Sequence, residues 1–193
     1  MKKLMYYISV VCLLCMVGLM GTPARAHADF PERPVAFVVI DHDGDVNGAV
    51  YKEWRSVVKW AYHFPYYKIT DGGAAQQLTG KLVSEDVKLD KKSLATIAKE
   101  SGNDVVVVAR IYDMDENMTS GFGFRFDEHE TYVIVELRAD LFVYKVDGDK
   151  FLQKRIRERD VRDLGNFEHP EETLKWELSK IVNTMEGRPI IGE

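Results

Sequence analysis

Past its first 28 residues this chain has no cysteine, because Cys12 and Cys15 are the only two. Disulfides, cysteine-based metal centres and thiol nucleophiles are therefore excluded from residues 29–193. Histidine is nearly as scarce there: His42, His63, His129 and His169 are scattered, with no His-Glu-x-x-His or other zinc spacing. Ser120 lacks the Gly-x-Ser-x-Gly elbow, and Gly72-Gly73 has neither the phosphate-loop lysine nor a dinucleotide spacing. Basic residues are outnumbered 26 to 31, for a net charge of −5, which makes nucleic acid and anionic lipid poor partners. Long apolar runs are missing too. Leu4–Met20 falls short of the about 20 residues a spanning helix needs, and Tyr6, Tyr7, Ser9 and Gly18 interrupt it.

What is present begins with that run. Lys2 and Lys3 supply a positive start, Leu4–Met20 an apolar middle, and Ala26-His27-Ala28 a small-x-small cleavage site. These residues read as a secretory signal peptide over 1–28, with a single domain over 29–193 that is periplasmic or secreted. A retained anchor is the competing reading; after cleavage no stable membrane anchor is expected. Val11 and Leu14, where a lipobox needs a small residue before its cysteine, argue against lipid attachment. Loss of Lys2, Lys3 and Arg25 leaves the remainder more acidic.

Val35–Ile40 is a continuous apolar run, the pattern of a strand covered on both faces. Asp41–Gly48 is dense in turn formers. Val50, Trp54, Val57 and Ala61, widened by Tyr51 and Val58, form a helical stripe that Pro65 ends. Trp60 and Tyr62 fall off that stripe. Tyr66–Thr70 reads as a short strand and Ala74–Leu82 as a weak helix. Asp90 is an N-cap for a helix burying Leu94, Ile97 and Ala98, and Gly102 its left-handed end. Val105–Ile111 is a second apolar strand, followed by a long loop over Asp113–Glu130. In Thr131–Val146, Val133, Val135, Leu137, Ala139, Leu141 and Val143 alternate with Tyr132, Glu136, Arg138 and Asp140. A turn at Asp147-Gly148 leads into a charged strand, Phe151–Val161, toward a sheet edge. A last helix starts at Pro170, with Glu171 and Glu172 in its first turn, and stops at Gly187. The expected fold is a mixed α/β (α+β) domain, a two- or three-layer sheet of about five strands in the order β-α-β-α-β-β-β-α.

The segment Leu94–Asp104, followed by Val105-Val106-Val107-Val108 and Arg110, resembles the helix, Gly-x-Asp turn and valine-rich strand of the TolB amino-terminal domain and of CsgG- and LpoB-like envelope proteins. Val35–Asp41 is similar to their first strand and the polar loop after it. The resemblance spans most of residues 33–186. It implies a cell-envelope assembly or accessory protein that binds without catalysis. The chain departs by lacking the lipid-attachment cysteine of the latter two and the propeller that follows in TolB.

Two local constellations carry binding chemistry. Asp41, Asp43, Asp45 and Asn47 place oxygens at alternate positions, as calcium loops do, and from Asp43 the spacing matches the start of an EF-hand loop. The twelfth position is Trp54 where a glutamate is required, and a strand precedes the loop. The alternative is a strand-to-helix turn whose side chains bond to their own backbone. In the 113–130 segment, Phe122, Phe124 and Phe126 alternate with Gly121, Gly123 and Arg125. They either anchor a protein, peptide or glycan partner or continue a strand and pack on the domain. Trp60 is a further candidate contact. Glu136 and Asp140 are expected to pair with Arg155, Arg157 or Arg159 across the hairpin rather than to catalyse. No catalytic residue and no cofactor other than calcium is expected. The functional expectation is an exported, non-enzymatic binding or assembly-accessory protein of the cell envelope. The alternatives are a calcium-dependent binder using the Asp41–Asn47 loop and a secreted hydrolase.

Overall fold

A computed structural model of the chain describes residues 32–63, 65–70, 73–122, 129–163 and 168–189. They belong to a unit spanning Pro31–Glu193. Five strands and four helices follow in the order β1 (Arg33–Ile40), α1 (Tyr51–Ala61), β2 (Tyr67–Thr70), α2 (Ala74–Ser84), α3 (Lys91–Ser101), β3 (Val105–Phe122), β4 (His129–Lys145), β5 (Lys150–Asp163) and α4 (Pro170–Met185). They build the mixed α/β sheet expected, in the spatial order β2-β1-β3-β4-β5. The segment read as a weak helix is a full helix, so two helices lie between β2 and β3.

β1 runs parallel to both β2 and β3, while β3–β4 and β4–β5 are antiparallel. The chain steps outward from β1 to β2 and then back across β1 to β3. Successive crossovers in opposite directions put their helices on opposite faces. On the front face α1 and α4 cover Val35, Phe37, Val39, Val105, Val107, Ala109, Leu137, Leu141 and Val143. On the back face α2 and α3 cover Ala36, Val38, Ile40, Val106, Val108 and Phe142. Residues 35–40 and 105–109 are buried without a break, because helices cover the sheet from both sides there.

α3 shows how locally the sequence sets an element. The Asp90 carboxylate accepts the Ser93 amide at 2.9 Å, and the Ser93 hydroxyl accepts the Asp90 amide at 2.7 Å, a reciprocal capping box. Gly102 closes the helix at φ 69°, in the left-handed region that only glycine enters without penalty.

Candidate functional site

β1 and β3 are in register only as far as Ile40 opposite Arg110. β3 continues for twelve more residues, about 40 Å at strand rise, with β4 antiparallel beside it and β5 on the far side. These three strands form an arm that rises past the end of β1. The segment expected to be a long loop, Asp113–Glu130, is therefore mostly strand on both sides of residues 123–128. The reason is a bulge. Ile111 pairs with Ala139 and Asp113 with Arg138, leaving Tyr112 as one extra residue on β3. Before Tyr112 the odd positions Val105, Val107, Ala109 and Ile111 face the front core. Continued unbroken, that alternation would drive Asp113 and Asp115 into it. The extra residue reverses the parity, so Met114, Glu116 and Met118 fall in line with Leu137, Val135 and Val133, while Asp113 and Asp115 turn to the back.

On the back of the arm the apolar layer under α2 and α3 has ended, and charged and aromatic groups replace it. Asp140 is 7 % exposed and is held by its neighbours. Tyr112 Oη donates to its Oδ2 at 3.2 Å and Arg157 Nη2 to its Oδ1 at 3.0 Å. The Arg157 Nη1 also donates to the carbonyls of Ala139 at 2.8 Å and Ile156 at 2.6 Å. The guanidinium carbons of Arg110 and Arg157 lie 4.9 and 5.4 Å from the centre of the Tyr112 ring. Partial burial, and then the Asp140 carboxylate, push the Tyr112 hydroxyl up from the ordinary tyrosine range. Arg138 holds Asp113 at 2.9 Å and Arg159 holds Glu136 at 2.8 Å. The Glu136 and Asp140 pairings expected across the hairpin are both present. Asp115 has no ion pair among the described residues. The neighbouring Asp113 carboxyl, more than burial, raises its carboxyl above the usual aspartate range.

The turn after β1 sits at the carboxyl end of that strand, where the strand order reverses and where open α/β sheets bind their ligands. Here the turn fastens itself down. The Asn47 Oδ1 accepts the Val39 amide at 2.8 Å, and the Asn47 amide donates to the Val39 carbonyl at 2.7 Å. Asp41 Oδ1 accepts the Asp45 amide at 2.8 Å. Asn47 stands at φ 58° to do this. A Cβ on Gly48 would come within 2.9 Å of Asp41 Oδ2, so that glycine leaves room for the carboxylate. Two of the four expected calcium ligands thus spend an oxygen on nearby backbone, Asp41 within the loop and Asn47 on β1. Asp43 lies beside His42 at 3.2 Å. Among the described residues no group of three or more His, Asp or Glu side chains is arranged to hold a metal ion.

Trp60 is 73 % exposed on α1, off the buried stripe as its position implied. Tyr62, also expected off the stripe, is 1 % exposed. The helix ends at Ala61, and the chain turns there to bring the Tyr62 ring edge-on to Tyr67 at 5.0 Å. Phe122 ends β3, and its side chain lies outside the described residues, as do Phe124 and Phe126 altogether.

A polar cluster that no motif announces lies at the opposite end of the sheet. Lys145 Nζ donates to both Glu186 oxygens at 2.8 and 2.9 Å and to Tyr67 Oη at 3.2 Å. Tyr67 in turn donates to Glu186 Oε2 at 3.1 Å. Nearby, Arg188 Nη1 caps the Ala61 carbonyl at 2.6 Å. Burial lowers the Lys145 pKa, but Glu186 and Tyr67 more than offset it, and the ammonium is held above the usual lysine value. A lysine kept charged is no nucleophile. The group joins β2, β4 and the chain after α4, and acts as a clasp. Its parts are 41 and 78 residues apart in sequence from Lys145, so spacing could not reveal it.

Compared with known families, the chain matches none, and no curated protein matches it. Solved structures share its outline at low similarity. The hypothetical protein CT253 from Chlamydia trachomatis is 10 % identical, with a TM-score of 0.42, over 80 % of this chain and 95 % of its own. The lipoprotein GNA1162 from Neisseria meningitidis is 14 % identical, with a TM-score of 0.33, over 80 % of this chain and 99 % of its own. A PelC dodecamer from Paraburkholderia phytofirmans is 5 % identical, with a TM-score of 0.36, over 78 % of this chain and 85 % of its own. At these scores none lends its function to this chain.

Proposed function

We propose that this chain is an exported, non-enzymatic binding or assembly module of the cell envelope that meets its partner through the three-stranded arm. The observation that carries the reading is the back of that arm. There Tyr112, Arg157 and Asp140 are fixed by mutual contacts on a surface that the helices of the domain leave open. Preorganised aromatic and arginine groups are what binding surfaces use as anchors, because little side-chain entropy remains to be lost. The clasp and the turn after β1 spend polar groups on holding the fold, whereas on the arm Asp115 has no ion pair among the described residues. Export rests on the Met1–Ala28 pattern, and the envelope setting on the resemblance carried by Leu94–Arg110 and Val35–Asp41.

The test is site-specific photo-crosslinking in the producing cell, with the probe at Asn117, exposed on the back of the arm, and, as control, at Lys99 on α3. Adducts are expected from Asn117, with a protein or a glycan, in the exported fraction; they should weaken in a Tyr112→Ala background. Adducts from Lys99 alone, or a chain confined to the cytoplasm, would overturn the reading.

A further inference from the structure

We propose that copies of this chain join head to tail, the β5 edge of one lying along the upper β3 edge of the next. This rests on the arm being a docking surface and names its occupant. The sheet order leaves β5 open along its length, and leaves β3 open above Arg110, where β1 stops. An open edge presents a row of unpaired N–H and C=O groups that can accept another strand.

The two edges carry opposite charge. From Tyr112 to Phe122, β3 holds Asp113, Asp115 and Glu116 and no lysine or arginine. β5 holds Lys150, Lys154, Arg155, Arg157, Arg159 and Arg162 against Glu158, Asp160 and Asp163. A two-fold pairing of β5 with β5 sets cations on cations, and β3 with β3 sets acids on acids. Like charges directly opposite each other are destabilising. The heterologous arrangement opposes unlike charges, and such contacts build closed rings or open chains rather than symmetric dimers. Because β1 fills the lower part of the β3 edge, the arriving β5 can pair only above Arg110.

Individual groups fit this pairing. Asp113 and Asp115 crowd one another, and only the first has an arginine partner. On the other edge Arg155 is exposed and has no ion pair among the described residues, and the Arg159 side chain is 77 % exposed. Within its own chain Asp115 has His42 of the turn after β1 near it but no lysine or arginine partner among the described residues, and a β5 edge placed beside it supplies one.

Mass photometry and light scattering over a dilution series read the assembly directly. The wild-type chain is expected to form species larger than a dimer that dissociate as salt rises, since exposed charges are screened. Asp115→Lys with Asn117→Lys makes both edges basic, and Arg155→Glu with Arg159→Glu makes both edges less basic or acidic. Each double variant is expected to be monomeric alone, and an equal mixture is expected to reassemble, because unlike edges meet again. Recovery on mixing also shows that both variants are folded. The milder Asp115→Asn and Arg159→Gln should each loosen assembly by about threefold to tenfold. A wild-type monomer at every concentration, a salt-insensitive dimer, double variants that assemble like wild type, folded variants that fail to recover on mixing, or no loosening in the milder pair would each overturn the proposal. A monomeric chain that still crosslinks a different protein through Asn117 would overturn it and leave the proposed function standing.

Discussion

Asn47 illustrates how one side chain can decide what a loop does. Its amide oxygen satisfies the Val39 N–H, and its backbone stands in the left-handed region that asparagine tolerates better than most residues. Asn47→Ala removes the bond and keeps the strain, so a loss of about 1–3 kcal/mol in denaturant-measured stability is expected. The same bonding predicts no heat on calorimetric titration with millimolar calcium, since Asp41 and Asn47 would have to give up the amides of Asp45 and Val39. A saturable exotherm that Asp43→Asn removes would reverse that assignment. Asp41, Asp43, Asp45 and Asn47 were legible in the sequence as oxygen donors at alternate positions. Which partner those oxygens take was not legible, because metal loops and Asx-type turns draw on the same residues at the same spacing.

Elements were easiest to read where one periodicity ran unbroken. Val133, Val135, Leu137, Ala139, Leu141 and Val143 are all buried on one side of β4 as their alternation implied, the last four of them in the front core. α3 was legible from Asp90, the apolar face of Leu94, Ile97 and Ala98, and Gly102. Asp90→Ala should cost about 1 kcal/mol, read as a lower Tm, and Asp90→Asn much less, because asparagine also accepts the Ser93 amide. The upper half of β3 was not legible: the apolar phase changes at Tyr112, and a changed phase reads as the end of a strand. Met114 and Met118, two apolar residues on the even positions, are the trace of continuation. The clasp was equally hidden, since Lys145, Tyr67 and Glu186 meet only through packing of three elements.

On the scale of the whole molecule, two charge clusters, the clasp and a group between β5 and α4, give stability a predictable dependence on pH. Burial opposes the charge on Lys145, while Glu186 and Tyr67 raise its pKa above the unfolded value. Its contribution is complete below the unfolded lysine pKa and is lost as pH rises through the folded one. The carboxyl of Glu177 behaves in the opposite sense. Burial raises its pKa, but Lys154 and Lys180 outweigh that and hold it below the usual glutamate value. Its contribution is present above the unfolded glutamate pKa and lost as pH falls through the folded one. Urea midpoints should therefore be flat near neutrality and fall on both sides. Lys145→Ala should cost about 3 kcal/mol, because it strands Glu186, and Lys145→Met with Glu186→Leu should recover most of the loss. If the double variant is no more stable than the single, the clasp is not the pair the structure shows.

The bulge at Tyr112 works as a reading frame works in a message. β-sheet pairing has a period of two, so one residue more or less exchanges every inward position for an outward one from that point on. Substituting Tyr112 changes a single letter, and Tyr112→Ala should fold with a local loss. Deleting it shifts the frame of everything after Ile111, turning Asp113 toward Leu137 and taking Met114 away from the core it packs against. The deletion should abolish folding where the substitution does not, as circular dichroism and protease resistance would report. A chain built this way tolerates changes of residue in its arm and not changes of length, and related sequences are expected to keep the count between Ile111 and Asp113 even where they change the residue.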